Sequence, residues 1–208
     1  PTLAPYAKEG EMELRITAKA PTEAEARDLI APVEEELRDL LGDVIYGADV
    51  KSLEEVAFAL MEAQGLTFGT AESCTGGNLA AALCAQADTA AFYDTGVVTF
   101  SDEAKRNVLQ VRAETLAVHS AVSEACVQEM SSGILALAGA DIAIAVSGYA
   151  GPEGGEDGTP AGTVWFAWNF RGQTETKRMC FAGDCETVVA KAVRYALAAL
   201  SEKLAHWQ

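Results

Sequence analysis

The stretch GLTFGTAESCTGGNLAAALCAQ, residues 65–86, joins an apolar run to an alanine-rich segment through a corner of one acid, two hydroxyls, a thiol and two glycines. Such an order reads as a buried strand, LTFGTAES (66–73), turning into a helix that runs from about Gly76 to Ala87. The pattern repeats on either side. SLEEVAFALMEAQG (52–65) has helical spacing and a stop at Gly65; DTGVVTFS (94–101) reads as a strand and DEAKRNVLQV (102–111) as a helix. SEACVQEMSSGILALAG (123–139) predicts a longer helix, and DIAIAVS (141–147) a strand that runs into a glycine-rich loop. GTVWFAWNF (162–170) and TETKRMCFAG (174–183) read as paired strands, and a last helix extends from about Cys185 to the end. Apolar strands alternating with helices predict an α/β fold: a three-layer α/β/α sandwich with a mixed, largely parallel sheet.

Residues 1–50 differ in character. EMELRITAKA (11–20) alternates as a half-buried strand, TEAEARDLIAPVEEELRDLL (22–41) has helical periodicity with Pro32 as a point for a kink, and DVIYG (43–47) returns as a strand. This small α/β module is strongly acidic, carries no catalytic constellation and reads as a packing or linking unit. The division falls at residues 1–50 and 51–208.

Composition narrows the function. The formal charge of −16 over 208 residues argues against a nucleic-acid partner, because phosphate binding relies on Lys and Arg, although a local pocket can still hold a small anion. No run reaches membrane-spanning length and no signal peptide is visible, so a cytoplasmic protein with no membrane partner is expected. The five cysteines are odd in number and none are spaced as CxxC, which favours reduced thiols over disulfides or a metal site. The chain begins at Pro1 rather than Met, as a trimmed or excised sequence would.

In sheets of this kind chemistry gathers at the carboxyl ends of strands. AESCTGG (71–77), FSDEAK (100–105) and SGYAGPEGGEDGTPAGT (147–163) all arrive there. Gly76 and Gly77 open a helix whose unpaired N–H groups suit an oxyanion or a phosphate. Gly148, Gly151, Gly154 and Gly155 let a backbone approach a ligand closely, and glycines in either cluster serve equally well as turn residues. Ser73, Cys74 and Thr75 compete as nucleophile. Cys74 suits the core, Thr75 suits an N-cap hydroxyl, and Ser73 fits either a nucleophile or a cap. The proton acceptor is Lys105, one turn into a helix, or His119, in a connection between helices; His206 belongs to the terminal tail. A lysine in a helix turn also reads as a plain surface charge.

Four separated motifs, TAESCTGG (70–77), VVTFSDEAK (97–105), HSAVSE (119–124) and AVSGYAGPEGGEDGTPAGTVWFA (145–167), resemble in order and spacing the CinA C-terminal family of nicotinamide mononucleotide amidohydrolases. The resemblance covers roughly residues 52–204, and residues 1–50 resemble the KH-like middle module of full-length CinA proteins. It implies a fragment or a shortened relative without the N-terminal molybdopterin-binding-like domain. It also implies a serine nucleophile at Ser73, a lysine base at Lys105 and substrate contacts at Thr75, Gly76, Gly77, Phe100, Ser147, Gly148, Gly151 and Cys185. The reaction implied releases ammonia from the carboxamide of a small-molecule nucleotide, in a homodimer, without cofactor or metal. Three positions depart from the family pattern: Phe100 replaces Tyr, Asp102 replaces Asn, and Cys185 replaces an Arg that follows Gly-Asp. The alternative is a catalytically weak nucleotide-binding or regulatory protein; Arg171, Lys177, Arg178 or another base are separate candidates to substitute for the absent guanidinium.

Overall fold

A computed structural model describes residues 1–8, 11–50, 52–86 and 88–207, and the chain divides into two compact units, Pro1–Asp49 and Val50–Gln208.

In the first unit, strand β1 (Thr2–Lys8) pairs antiparallel with β2 (Glu11–Thr17), in register from Thr2 opposite Thr17. Sequence reading missed β1 because TLAPYAK lacks clear alternation and contains Pro5, a residue that a two-stranded ribbon tolerates on its open edge. Helix α1 (Glu23–Leu41) starts where the Thr22 hydroxyl accepts from the Glu25 amide, and it continues past Pro32 to Leu41. The strand expected over residues 43–47 is not formed. Gly42, at φ +55°, turns the chain into one 3₁₀ turn (Gly42–Val44), and residues 45–47 pair with no strand.

In the second unit, helix α2 (Leu53–Gln64) ends at Gly65 in the left-handed conformation and leads into β3 (Phe68–Glu72), buried along its whole length. Helix α3 (Asn78–Cys84) follows; the end expected for it at Ala87 lies outside the described residues. Next come β4 (Tyr93–Val98), α4 (Asp102–Leu109), α5 (Ala113–His119), α6 (Glu124–Ala138) and β5 (Ile142–Gly148). A long loop then leads to β6 (Thr163–Phe170), β7 (Gln173–Cys180) and α7 (Cys185–His206). His119 is therefore the last residue of a short helix rather than part of a plain connection.

The sheet order is β4-β3-β5-β6-β7, with β3 parallel to both its neighbours and β5, β6 and β7 antiparallel in sequence. The α/β class expected from the alternating pattern is therefore the observed one. Residue size differs sharply between the two faces. Ile142, Ile144 and Val146 of β5, with Phe166 and Trp168 of β6, pack in one cluster with α2, α3 and α7. Ala143, Ala145, Ala71 and Ala167 point the other way, into a cluster with Leu109, Met130 and Ile134. Small residues on that face let α6 lie close to the sheet. At Gly69 an added Cβ would already stand 3.2 Å from Ala138 and Ile134.

Close packing extends to α4, which α6 holds through Gly133: a Cβ there would lie 2.1 Å from the Leu109 carbonyl oxygen. A helix backbone cannot yield as a flexible side chain does, so Gly133→Ala should lower the urea midpoint by the equivalent of about 1–3 kcal/mol, an overpacking penalty that exceeds the helix-propensity gain of alanine. An unchanged midpoint would show that α4 and α6 can separate freely.

Candidate active site

Strand β3 occupies the middle of the parallel part of the sheet, and its carboxyl end delivers Glu72 and Ser73 into the turn before α3. The turn needs its glycines for backbone reasons, since Gly76 has φ +61° and Gly77 φ +96°. The neighbouring strand β4 ends at the same level, and Ser101 caps α4 by accepting from the Ala104 amide. Lys105 thereby sits one turn into α4 with its side chain directed under the sheet end.

These two segments meet. Lys105 Nζ donates to Ser73 Oγ at 3.0 Å, to the Thr99 carbonyl at 2.8 Å and to the Phe100 carbonyl at 3.4 Å. Lys105 is 0% exposed and Ser73 is 6% exposed. No carboxylate takes a salt bridge from the amine among the described residues, and burial pushes the Lys105 ammonium below the usual lysine range. A neutral amine would keep its two N–H bonds to the carbonyls and turn its lone pair toward the serine hydroxyl. That is the arrangement in which a lysine takes a proton from a serine.

The other side chains of the corner sort differently. Burial pushes the Cys74 thiol up to about 12, so Cys74 is a neutral thiol packed against the larger core cluster. Thr75 is not the helix cap expected of it. Its hydroxyl is buried without a partner, while its carbonyl accepts from the Asn78 amide and side chain. The cap is Glu72, 1% exposed, whose carboxylate accepts from the amides of Gly77 at 3.0 Å, Leu79 at 3.1 Å and Ala80 at 2.8 Å. The N–H groups expected to hold a ligand anion at the start of α3 are therefore occupied by the chain itself. Sequence reading left Glu72 without a role; the signal was an acid closing an otherwise apolar strand just before a Gly-Gly helix start.

Ser147, the penultimate residue of β5, lies beside this corner, since the Ser73 amide donates to the Val146 carbonyl. Its own hydroxyl donates to the Ala121 carbonyl at 2.7 Å, tying β5 to the connection before α6. Gly148 is required by packing, because a Cβ would stand 2.7 Å from the Thr163 carbonyl oxygen, whereas Gly151 faces open space. Phe100 is 75% exposed and Cys185 is an exposed thiol at the first turn of α7, where Asp184 caps the helix through the Thr187 amide. Arg171 cannot replace the absent guanidinium: it follows β6 at the opposite end of the sheet and is paired with Asp141 at 2.9 Å. Lys177 and Arg178 lie on β7, three strands from β3, about 14 Å across the sheet. Two shallow grooves of about 400 and 240 Å³ flank α4 and share Arg106 and Ala113, but Ser73 lines neither. Hydrogen-bond geometry, rather than concavity, marks the corner as the candidate site. Among the described residues no helix is long and apolar enough to cross a membrane, and no group of three His, Cys, Asp or Glu is placed to hold a metal ion.

Comparison with known proteins gives two family matches, the CinA C-terminal domain over residues 50–204 and the damage-inducible protein CinA KH domain over residues 1–47. Protein YdeJ of Escherichia coli K12 is 54% identical over 164 residues, which cover 77% of this chain and 95% of YdeJ. A CinA-like protein of Kosmotoga olearia is 43% identical over 197 residues, 95% of this chain but 48% of that protein, so the chain spans about half the length of this relative. A crystal structure of the competence damage-inducible protein A (ComA) from Klebsiella pneumoniae subsp. pneumoniae MGH 78578 has 88% identity and a TM-score of 0.74, covering 76% of this chain and 100% of that one. On the match over residues 50–204 and the relatives aligned to it, the chain belongs to the CinA family, as a C-terminal domain preceded by a CinA KH domain.

Proposed function

We propose that the chain is an amidohydrolase that converts the carboxamide of nicotinamide mononucleotide to the carboxylate, with Ser73 as nucleophile and Lys105 as base. The observation that carries this reading is the 3.0 Å contact between Ser73 Oγ and a buried Lys105 Nζ that, among the described residues, takes part in no salt bridge. Neutral Lys105 takes the hydroxyl proton as Ser73 Oγ attacks the carboxamide carbon, and the carbonyl oxygen becomes an oxyanion. Lys105 then gives the proton to the departing nitrogen, ammonia leaves, and an ester to Ser73 remains. Water attacks that ester with Lys105 again taking a proton, which returns to Ser73 Oγ as the carboxylate is released. With the α3 amides occupied by Glu72, the substrate phosphate falls to the glycine-rich loop after β5, where Gly151 has open space around it.

Ammonia release from nicotinamide mononucleotide by the purified chain tests the reading directly. Ser73→Ala should abolish it without loss of fold, and Cys74→Ala should keep most of the rate, because a thiol held near 12 supplies almost no thiolate at neutral pH. The reverse pattern would replace the serine by a cysteine mechanism.

The Lys105 ammonium lies below its ordinary range, so the rate should climb with pH as the amine loses its proton and level off above that depressed value. Lys105→Arg should be nearly as inactive as Lys105→Ala, since a guanidinium cannot accept a proton. Substantial turnover by Lys105→Arg would reduce the lysine to an electrostatic contact.

A slow enzyme that mainly binds its nucleotide is the second reading, favoured by an exposed Phe100 without a hydroxyl and by an exposed thiol, Cys185, in place of a guanidinium. On that reading Cys185→Arg and Phe100→Tyr raise kcat/KM, about ten- to a hundredfold for a charged hydrogen bond contributing about 1.5–3 kcal/mol. If the unsubstituted chain turns over rapidly and Cys185→Arg slows it, the site is built around the smaller residue and the first reading stands.

A further inference from the structure

We infer that Glu72 is the positioning residue of the Ser73 corner: its carboxylate stands at the start of α3 in place of a ligand anion, and it leaves the amides of Cys74 and Thr75 as the oxyanion donors. The inference deepens the amidohydrolase reading and rests on it.

Accounting for each amide of the turn leads there. The Ser73 amide donates to the Val146 carbonyl, that of Gly76 to the Ser73 carbonyl and that of Asn78 to the Thr75 carbonyl, at 2.9, 3.1 and 3.0 Å. Those of Gly77, Leu79 and Ala80 go to Glu72. No oxygen among the described residues accepts from the amides of Cys74 and Thr75, which directly follow the nucleophile; the Cys74 amide faces its own thiol, which it can leave for an oxyanion. Two successive amides after an attacking serine are suitably placed for an oxygen that gains charge at the adjacent carbon. Beside them the Thr75 hydroxyl is also buried and unpartnered, a further donor with no bond in the resting chain.

Glu72 also connects the two halves of the pair. Its carbonyl accepts from the Thr99 amide at 2.8 Å, and the Thr99 carbonyl accepts from Lys105 Nζ. Its side chain fixes the turn that carries Ser73, and its backbone fixes the strand end that holds Lys105. Both carboxylate oxygens are engaged, one by Gly77 and Leu79 and the other by Ala80. A carboxamide cannot copy this, because its NH₂ end would face backbone N–H donors. Glutamine therefore keeps the shape of residue 72 but releases part of the turn.

Serine phosphonylation by a fluorophosphonate tests the idea independently of the natural substrate. Ser73 Oγ forms a bond to phosphorus, fluoride leaves, and the serine proton passes to Lys105; the phosphoryl oxygen uses the same oxyanion donors. Glu72→Gln, folded by circular dichroism, should be labelled about ten- to a hundredfold more slowly than the unsubstituted chain, as when oxyanion stabilisation is weakened. Glu72→Asp, shorter by one methylene but still a carboxylate, should fall between them. With nicotinamide mononucleotide, the loss should appear in kcat with KM unchanged, because Glu72 does not touch the substrate. Equal labelling of folded Glu72→Gln and the unsubstituted chain overturns the positioning role alone. Absence of Ser73 labelling in the unsubstituted chain overturns that role and the serine mechanism together. Should Glu72→Gln fail to fold, Glu72→Asp decides by the same comparison, and failure of both to fold assigns Glu72 a purely structural role.

Discussion

A lysine amine withdrawn from water and bonded to two carbonyls and a hydroxyl, with no salt bridge among the described residues, is the constraint around which the larger unit is organised. Desolvation opposes the charged form, so the folded chain holds the proton on Lys105 less tightly than an unfolded chain would. Between the depressed folded value and the ordinary lysine value, the unfolded state binds more protons. Stability therefore increases with pH across that window and is diminished below it, where the buried amine must carry charge. Deprotonation that readies the amine as a base also removes a burden from the fold. A carboxylate beside Lys105 would relieve the burden in another way, by holding the proton on, and would remove the base.

Such a lysine stays buried only if the walls around it are rigid. The asymmetry of the sheet supplies that rigidity. Large side chains fill the face toward α2, α3 and α7, while alanines and Gly69 line the face toward α6. Helix α6 can then lie close to the sheet, and α4 lies close to α6 through Gly133. Cys126, on α6, is near enough to the amine for each group to affect the titration of the other, and burial pushes its thiol up to about 12. Burial outweighs the opposite pull of Cys126 and Asp102 on the Lys105 proton, so the amine stays below its ordinary range.

Much of this was legible in the sequence where the signal was local and periodic. The apolar runs of β3 and β5 and the stop at Gly65 each follow from a few adjacent residues. Ser73 and Lys105 were both singled out, but their contact spans 32 positions, and only the parallel pairing of β3 with β4 brings them together. Strand β1 was hidden by Pro5, and the strand foreseen over residues 43–47 has no neighbour to pair with. Thr75 was misread for an instructive reason. A hydroxyl just before the helix start expected at Gly76 resembles a cap, but the carboxylate that holds those amides stands on the preceding strand.

The same carboxylate helps decide which atom of the corner can act. Ser73 and Cys74 are adjacent, and a thiol is ordinarily the better nucleophile because it ionises more readily. Here burial opposes the thiolate first, the Cys74 amide and then the Lys105 charge favour it, and the negative charge of Glu72 opposes it again, with the thiol pushed up to about 12. Serine needs no standing anion. Its proton moves to Lys105 only as the bond to carbon forms, and the charge develops on an oxygen next to the amides rather than on the side chain. An acid fixed at the foot of the turn therefore penalises the mechanism that requires a resident anion and tolerates the one that does not, which gives the residue before the serine a chemical consequence beyond holding a helix.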